Sequence, residues 1–200
     1  MALLCPHVSL VPLGRMNTDM QASSYARVES PLGELVLTSY ASKLTGIYVS
    51  GHKAIAPAIA ASSRADSAFA QIIHELDKYW SGNLQEFSVP IAPMGTPFQQ
   101  AVWRELRNVP YGETVTYLEL ARLIGRPSAA RAVGSANARN PISILIPCHR
   151  VIGSAGSLTG YAGGLDKKRW LLAHESAARN MKPDIRVEGR SLRRREVTRA

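Results

Sequence analysis

The sequence predicts an α/β protein of the α+β type, in which a small strand-rich half precedes a mostly helical half. Short apolar segments bounded by turn residues dominate the chain before residue 93, whereas helix-start signals dominate after it. A chain of 200 residues forms one large domain or two small ones. We therefore expect domains at residues 25–92 and 93–178, between an N-terminal extension, residues 1–24, and a C-terminal tail, residues 179–200.

A hairpin is expected first in the N-terminal half. Turn residues at 30–33 precede an apolar strand over residues 34–40, and a second strand over residues 44–49 follows after a short connection. Residues 52–65 are rich in Ala, Ser and Pro, which predicts a loop.

A helix and a further strand complete this half. Four apolar residues have the i, i+3, i+4, i+7 spacing of an amphipathic helix that ends near Gly82, namely Phe69, Ile72, Ile73 and Leu76. Residues 87–91 are predicted to form another strand, and residues 93–95 a linker.

Two helix-start signals stand in the C-terminal half. Residues 96–99 form a capping box with proline at the first helical position, which predicts a helix over residues 97–107. Residues 116–119 form a second box that opens a short helix to Ile124, and Gly125 is placed to end this helix.

A segment rich in small residues, 128–137, follows the second helix. Two short helices joined by a glycine-containing turn are typical of a helix-turn-helix, although many helical domains contain such a pair without binding DNA. The basic residues around the pair are Arg122, Arg126, Arg131 and Arg139. They favour DNA binding, and the small side chains would let a helix backbone approach a narrow surface such as the minor groove.

The charge of the chain favours a polyanionic partner. The net charge is +9, and eight basic against three acidic residues lie between Arg179 and Ala200. Nucleic acid is the first expected partner and an anionic membrane surface the second. No apolar run reaches the roughly 18 residues of a membrane helix, and residues 1–13 lack a basic signal-peptide region. We therefore expect a cytoplasmic protein with no membrane partner.

Cys148 is the candidate nucleophile. It follows the apolar run 142–146, a predicted strand, where a lone cysteine is usually a small buried residue. His149 and Arg150 come next, and a nearby imidazole or cation lowers the pKa of a thiol toward working pH. Adjacent side chains usually point apart, so a water would link the thiol to His149. Cys5 lies far away in the chain and the histidines are scattered, so neither a disulfide scaffold nor a metal site is expected.

Residues 144–151, with the sequence ILIPCHRV, resemble the active-site signature of the O6-alkylguanine-DNA alkyltransferases, also called methylated-DNA–protein-cysteine methyltransferases. The similarity covers nearly all of residues 95–175. Further matching segments are residues 95–99, 102–103, 110–114, 117, 130–134, 140–141, 160–165 and 170–175. The resemblance implies a ribonuclease H-like N-terminal domain, a DNA-binding C-terminal domain, and one irreversible transfer of an alkyl group from guanine O6 to the protein without a cofactor.

The resemblance also assigns the predicted catalytic residues. Cys148 would accept the alkyl group, and His149 would take the thiol proton through a water. Glu175 would orient His149, Asn140 would hold the active-site turn through hydrogen bonds, and Tyr117 would assist the departure of guanine. The target nucleotide must first be flipped out of the duplex, at a cost of about a few kcal/mol.

The implied partner is double-stranded DNA that bears O6-alkylguanine, bound through its minor groove by a monomer. Arg131 would enter the base stack where the nucleotide leaves. The substrate-base pocket would contain Val151, Tyr161, Ala162 and Tyr117. The recognition helix would present Ala130, Ala132, Gly134, Ser135 and Ala136. Cooperative assembly on DNA and activity on O4-alkylthymine stay open.

Two other functions also stay open on the residues alone. A cysteine hydrolase would use a Cys148–His149–Glu175 triad, but it would turn over repeatedly. A lesion sensor similar to the alkyltransferase-like proteins would bind without chemistry, although those proteins lack the acceptor cysteine. The loop over residues 153–159 would decide which alkyl groups fit, and the basic tail would add nonspecific DNA affinity. The sequence has no counterpart to the N-terminal zinc ligands of some family members.

Overall fold

The computed structural model describes residues 23–181, and their N-terminal part is built on a four-stranded sheet. The strands are β1 (Ser23–Val28), β2 (Leu35–Tyr40), β3 (Lys43–Val49) and β4 (Ser63–Arg64). Their order is β3-β2-β1-β4, with β1–β2 and β2–β3 antiparallel and β4 parallel to β1. The β2–β3 hairpin confirms the prediction, whereas the half-polar sequence of β1 does not predict a strand. Most of the predicted N-terminal extension and of the basic tail lies outside the described residues.

The loop predicted over residues 52–65 is wrong in two places. Residues Ile55–Ala60 form helix α1, and Ser63–Arg64 form β4. Alanine has the highest helix propensity, and Pro57 lies in the first turn of α1, where a missing backbone N–H removes no helical hydrogen bond. A composition rich in Ala, Ser and Pro therefore suits the start of a short helix as well as a loop.

The amphipathic helix predicted next is confirmed. A 3-10 turn, Asp66–Phe69, leads into α2 (Ala70–Trp80), and Gly82 follows with a φ of +73°, a left-handed conformation common after helix ends. The residues of this turn and helix that are at most 2% exposed are Phe69, Ile72, Leu76 and Tyr79. This buried stripe directs Tyr79, near the end of α2, into the core.

The strand predicted over residues 87–91 is wrong. Only a bridge between Leu44 and Ile91 forms, because Leu44 N donates to Pro90 O at 2.9 Å and Ala92 N donates to Leu44 O at 2.8 Å. Pro90 has no backbone N–H, so it cannot extend the ladder along β3.

Helices dominate the C-terminal part, as predicted. They are α3 (Pro97–Leu106), α4 (Tyr117–Leu123), α5 (Ala130–Ala138) and α6 (Leu165–Met181). Strands β5 (Val115–Thr116) and β6 (Val151–Ile152) pair in parallel. Both capping boxes form, at Thr96 before α3 and at Thr116 before α4. Gly125, with a φ of +72°, stands between α4 and α5, which are the two helices of the predicted helix-turn-helix. Within residues 23–181 no helix combines the length and apolar character needed to cross a membrane.

The apolar run 142–146 forms a turn, which corrects the predicted strand. Ile142 makes a single bridge to Ile47 of β3, and Ile144 adopts a φ of +75°, which is costly for a β-branched residue. Apolar runs of this length do not distinguish a strand from another buried segment. The turn is buried against the N-terminal sheet: Ile47 N donates to Pro141 O at 2.9 Å, and Ser143 N donates to Ile47 O at 3.2 Å.

Candidate active site and DNA-facing helix

Asn140 organises the turn that carries Cys148. Its Nδ2 donates to Ile146 O at 2.7 Å, and its Oδ1 accepts from Ile142 N at 3.0 Å. Cys148 then begins a 3-10 turn, Cys148–Arg150, and Asn137 Nδ2 of α5 donates to Cys148 O at 3.3 Å. The backbone of Cys148 is therefore held both by its own loop and by the helix-turn-helix.

The thiol of Cys148 lies in a buried environment. Cys148 is 4% exposed, and burial raises the pKa of its thiol, while a hydrogen bond from Asn140 and the charge of Lys168 act in the opposite direction. Arg150, which also follows Cys148 in the sequence, binds Glu175 and Val109 O through its guanidinium. The cation that favours the thiolate is Lys168, and the thiol still needs a base.

His149 and Glu175 form a fully buried pair. His149 Nε2 lies 2.9 Å from Glu175 Oε1, and both side chains are 0% exposed. Burial alone would raise the pKa of Glu175, but the hydrogen bonds and charges of His149 and Arg150 hold it well below its usual range. Because the ionised carboxylate only accepts, His149 Nε2 carries the proton and Nδ1 is the acceptor.

The free nitrogen of His149 is suited to be a base. Burial lowers the pKa of His149 despite the opposing effect of Glu175, so the imidazole is neutral. Nδ1 is buried and has no hydrogen-bond partner among the described residues. A neutral imidazole with an unpartnered nitrogen, next in sequence to a protonated thiol, can take the thiol proton.

Glu175 accepts hydrogen bonds from distant parts of the chain. Arg150 donates from Nε to Oε2 at 2.8 Å and from Nη2 to Oε1 at 2.9 Å. Gly112 N donates to Oε2 at 3.0 Å, and Tyr79 Oη, from α2, donates to Oε1 at 2.7 Å. Gly112 has a φ of +72°, which lets the turn before β5 approach Glu175. The carboxylate thus joins α6, the active-site turn, the turn before β5 and α2.

Lys168 links the pocket loop to the strand that follows Cys148. It is 0% exposed, and its Nζ donates to Val151 O and to Thr159 O, both at 2.6 Å. Tyr117 Oη also donates to Thr159 O, at 3.3 Å. Val151 itself is 0% exposed. The pairing of β5 with β6 therefore brings the start of α4 beside the active-site segment.

Tyr161 and Ala162 are the other two residues of the predicted base pocket, and the structure places them differently. The Tyr161 hydroxyl is buried and has no hydrogen-bond partner within the described part of the chain. Burial, followed by the charge of Cys148, raises the pKa of Tyr161, so its hydroxyl stays a donor. Ala162 is exposed.

The exposed face of α5 carries small residues between two arginines. The exposed residues are Arg131, Ala132, Ser135, Ala138 and Arg139. Ala130 and Gly134 are half-buried, and a Cβ on Gly134 would lie 3.7 Å from the Tyr117 ring. The prediction that Ala136 belongs to the DNA-binding face is wrong. Ala136 is 2% exposed, and its carbonyl accepts from Trp103 Nε1 at 2.9 Å, so it faces α3.

Comparisons with known proteins identify the family. Residues 97–177 match the family model of the 6-O-methylguanine DNA methyltransferase DNA-binding domain, and residues 24–93 match the ribonuclease-like domain of the same proteins. The chain belongs to the O6-alkylguanine-DNA alkyltransferase family. The expected ribonuclease H-like N-terminal domain and helical C-terminal domain agree with these matches and with the observed fold.

Individual alkyltransferases resemble most of the chain. A methylated-DNA–protein-cysteine methyltransferase of Mycobacterium leprae is 46% identical over 148 residues, which are 74% of this chain and 89% of the relative. One of Methanosarcina barkeri is 48% identical over 153 residues, 76% and 96% of the two chains. Crystal structures of Mycobacterium tuberculosis O6-methylguanine methyltransferase and of the OGT of that organism with DNA superpose with a TM-score of 0.74 at 44% identity, covering 78% of this chain and 94% of theirs.

Three residues of this alkyltransferase site were missed by sequence reasoning. Tyr79 and Lys168 carry no local signal, because a buried tyrosine and a helical lysine are ordinary residues until the fold brings them to the site. Gly112 stands in a visible turn, but its role as a donor depends on Glu175, 63 residues away. In contrast, Cys148 and Asn140 lie within one short segment, which the sequence marks directly.

Proposed function

We propose that this chain repairs O6-alkylguanine in double-stranded DNA by direct, stoichiometric and irreversible transfer of the alkyl group to Cys148, which is methylated-DNA–protein-cysteine S-methyltransferase activity. The observation that carries the proposal is the buried Cys148 thiol, followed in the sequence by a neutral His149 whose Nδ1 has no partner in the described residues and whose Nε2 is held by Glu175. Family membership supports the substrate, because the relatives are named for this reaction.

The proton leaves the thiol before or during attack. His149 Nδ1 accepts it through a water, and Glu175 stabilises the imidazolium that results. Lys168 favours the thiolate electrostatically. Without this base, the raised pKa of the buried thiol would leave little thiolate near neutral pH.

The alkyl transfer is an in-line displacement at carbon. Cys148 Sγ forms a bond to the alkyl carbon while the bond from that carbon to guanine O6 breaks, and the bonding electrons stay on guanine. Tyr117 donates its proton to the departing guanine, and its phenolate then takes, through water, the proton that the thiol gave to His149. The proton lost by Cys148 therefore ends on guanine, and both His149 and Tyr117 return to their neutral forms. A positioned general acid contributes roughly 10²–10⁴-fold. The product thioether has no leaving group that water or a thiol displaces readily, so each molecule acts once.

The target base occupies a pocket beside Cys148. Tyr161, Val151 and Ala162 are the proposed contacts, with the Tyr161 hydroxyl and the Val151 carbonyl as polar groups. The loop over residues 153–159 limits the size of the alkyl group. Lys168 and Tyr117 both bind Thr159 O at the end of this loop, which ties the loop to the catalytic segment.

The exposed face of α5 is the proposed contact with the minor groove. Ala132 and Ser135 have short side chains that let the helix approach the groove closely, and Ala130 and Gly134 lie beside them. Arg131 takes the place of the flipped nucleotide, as inserted side chains do in other minor-groove proteins. We propose a monomer, with the domain division at residues 25–92 and 93–178, that acts in the cytoplasm, where the thiol stays reduced.

The test is a mass measurement of the protein after reaction with a duplex that carries O6-methylguanine. We expect one methyl group per chain, located on the peptide that contains Cys148 and absent in Cys148→Ala. Cys5→Ala is the matched control and should be methylated like the unchanged protein. Binding of the duplex without any mass gain would instead favour the lesion sensor, and repeated release of product would favour a hydrolase.

A further inference from the structure

Tyr79 connects the N-terminal domain to the proposed proton-transfer pair. It lies in α2, is 0% exposed, and donates from Oη to Glu175 Oε1 at 2.7 Å, across 96 residues of sequence. The same oxygen accepts from His149 Nε2 at 2.9 Å. Tyr79 and His149 therefore share one carboxylate oxygen, so a change in one hydrogen bond alters the other.

Aromatic packing and a backbone hydrogen bond fix the position of Tyr79. Its ring centroid lies 5.3 Å from that of His174, 5.5 Å from that of Phe87 and 5.9 Å from that of Tyr111. His174 Nε2 lies 2.8 Å from Tyr79 O, and His174 directly precedes Glu175 in α6. These contacts between α2 and α6 hold the Tyr79 ring so that its hydroxyl lies against the carboxylate.

Burial and the neighbouring charges keep the Tyr79 hydroxyl protonated, so that it stays a hydrogen-bond donor. Burial, followed by the negative charge of Glu175, raises the pKa of Tyr79 well above its ordinary value, while Arg150 acts in the opposite direction. The charged groups that act on His149 itself are Glu175, Arg150 and Lys168. Substitution of the Tyr79 hydroxyl leaves all three of these groups in place.

We propose that Tyr79 is a positioning residue for alkyl transfer, through which the N-terminal domain sets the proton affinity of His149 by way of Glu175. The inference rests on the proposed function, in which His149 takes the thiol proton. A hydrogen bond from Tyr79 withdraws negative charge from Oε1. Without it, Oε1 would bind the His149 proton more strongly, the imidazolium would be more stable, and less of the neutral base would be present at low pH.

The matched pair of variants is Tyr79→Phe and Tyr111→Phe. Both remove one buried hydroxyl and keep the ring, but the Tyr111 hydroxyl has no hydrogen-bond partner in the part of the chain that the structure describes. The single-turnover rate of methyl transfer is measured from pH 5 to pH 9, and the titration of His149 is followed by NMR. For Tyr79→Phe we expect the midpoint of the acid limb to rise by about half a pH unit, with about a threefold lower rate below the midpoint. Tyr111→Phe should keep the original profile.

Thermal unfolding of each variant separates positioning from simple stabilisation. A purely structural role would lower the melting temperature of Tyr79→Phe but leave the acid limb and the His149 titration unchanged, and this result would overturn the proposal. If the unchanged protein transfers no methyl group, the proposed function fails instead. The His149 titration then still decides the role of Tyr79, because it needs no DNA.

Discussion

The buried site around Glu175 and the exposed face of α5 differ in how their residues are fixed. Both oxygens of Glu175 accept hydrogen bonds, and the donors Tyr79, Gly112, His149 and Arg150 come from three separate segments, of which the 3-10 turn supplies the last two. The side chains of α5 that face solvent are placed only by the helix that carries them. A change at Glu175 should therefore alter stability and chemistry together, whereas a change on α5 should alter DNA binding and nucleotide flipping but not stability.

Burial is the physical cause of this difference. A charge removed from water is costly unless partners compensate it, so removal of one partner of a buried pair costs about 3–5 kcal/mol. Exposed substitutions away from such features usually change stability by about 0.5 kcal/mol or less. The two regions thus offer a direct comparison by mutation.

Glu175→Gln should have the largest effect. The neutral amide removes the charge that Arg150 and His149 require and places an NH2 group against their donors. We expect the free energy of unfolding to fall by about 3–5 kcal/mol. Transfer by the folded protein should slow by roughly 10²-fold or more, because His149 loses its orientation. Denaturant unfolding and single-turnover kinetics measure the two effects.

Glu113→Gln is the control for this prediction. Glu113 pairs with Arg179 at 3.3 Å, but both side chains are about half exposed, so removal of this pair should cost under about 1 kcal/mol. Equal, small losses of stability for the two variants would contradict the importance of burial.

The pH dependence of stability gives a second check on Glu175. Since the folded-state pKa of Glu175 lies below its unfolded value of about 4.3, its stabilisation is present above that pH and is lost as pH falls further. Glu175→Gln should lack this acid-dependent loss.

Arg131→Ala should have a smaller effect, which is limited to DNA binding and to the flipping of the target nucleotide. Arg131 and Arg139 are both exposed, the first in the opening turn of α5 and the second at its C-cap, which makes Arg139→Ala the matched control. Both variants should weaken salt-dependent DNA binding. Only Arg131→Ala should slow transfer when the DNA is saturating, by about tenfold, because only Arg131 supports the flipped nucleotide. Identical transfer rates for the two variants would assign Arg131 to phosphate contact alone.

The sequence predicts a feature when that feature depends on neighbouring residues, and fails when it depends on residues distant in the chain. The capping boxes at Thr96 and Thr116 and the buried stripe of α2 depend on neighbouring residues, and the structure forms all of them. The apolar run at residues 142–146 predicts a strand, but it forms a turn because its shape depends on Asn140 and on contact with β3. Tyr79 and Lys168 were missed for the same reason, since only the folded chain brings them to the site. Local patterns thus predict elements, whereas the buried partners of a site depend on long-range packing.

Deletion of residues 186–200 should have the smallest effect of these changes on chemistry. The segment lies outside the described residues and contains six arginines and two glutamates. If it binds phosphates, the slope of log K against log salt should become less steep by about 0.9 for each phosphate that the tail no longer neutralises, while transfer at saturating DNA stays unchanged. A full-length chain in which the six arginines are replaced by glutamine separates charge from length, and it should match the deletion. An unchanged salt dependence in both proteins would contradict phosphate binding by the tail. The nonspecific affinity for DNA would then come from α5 and its surroundings.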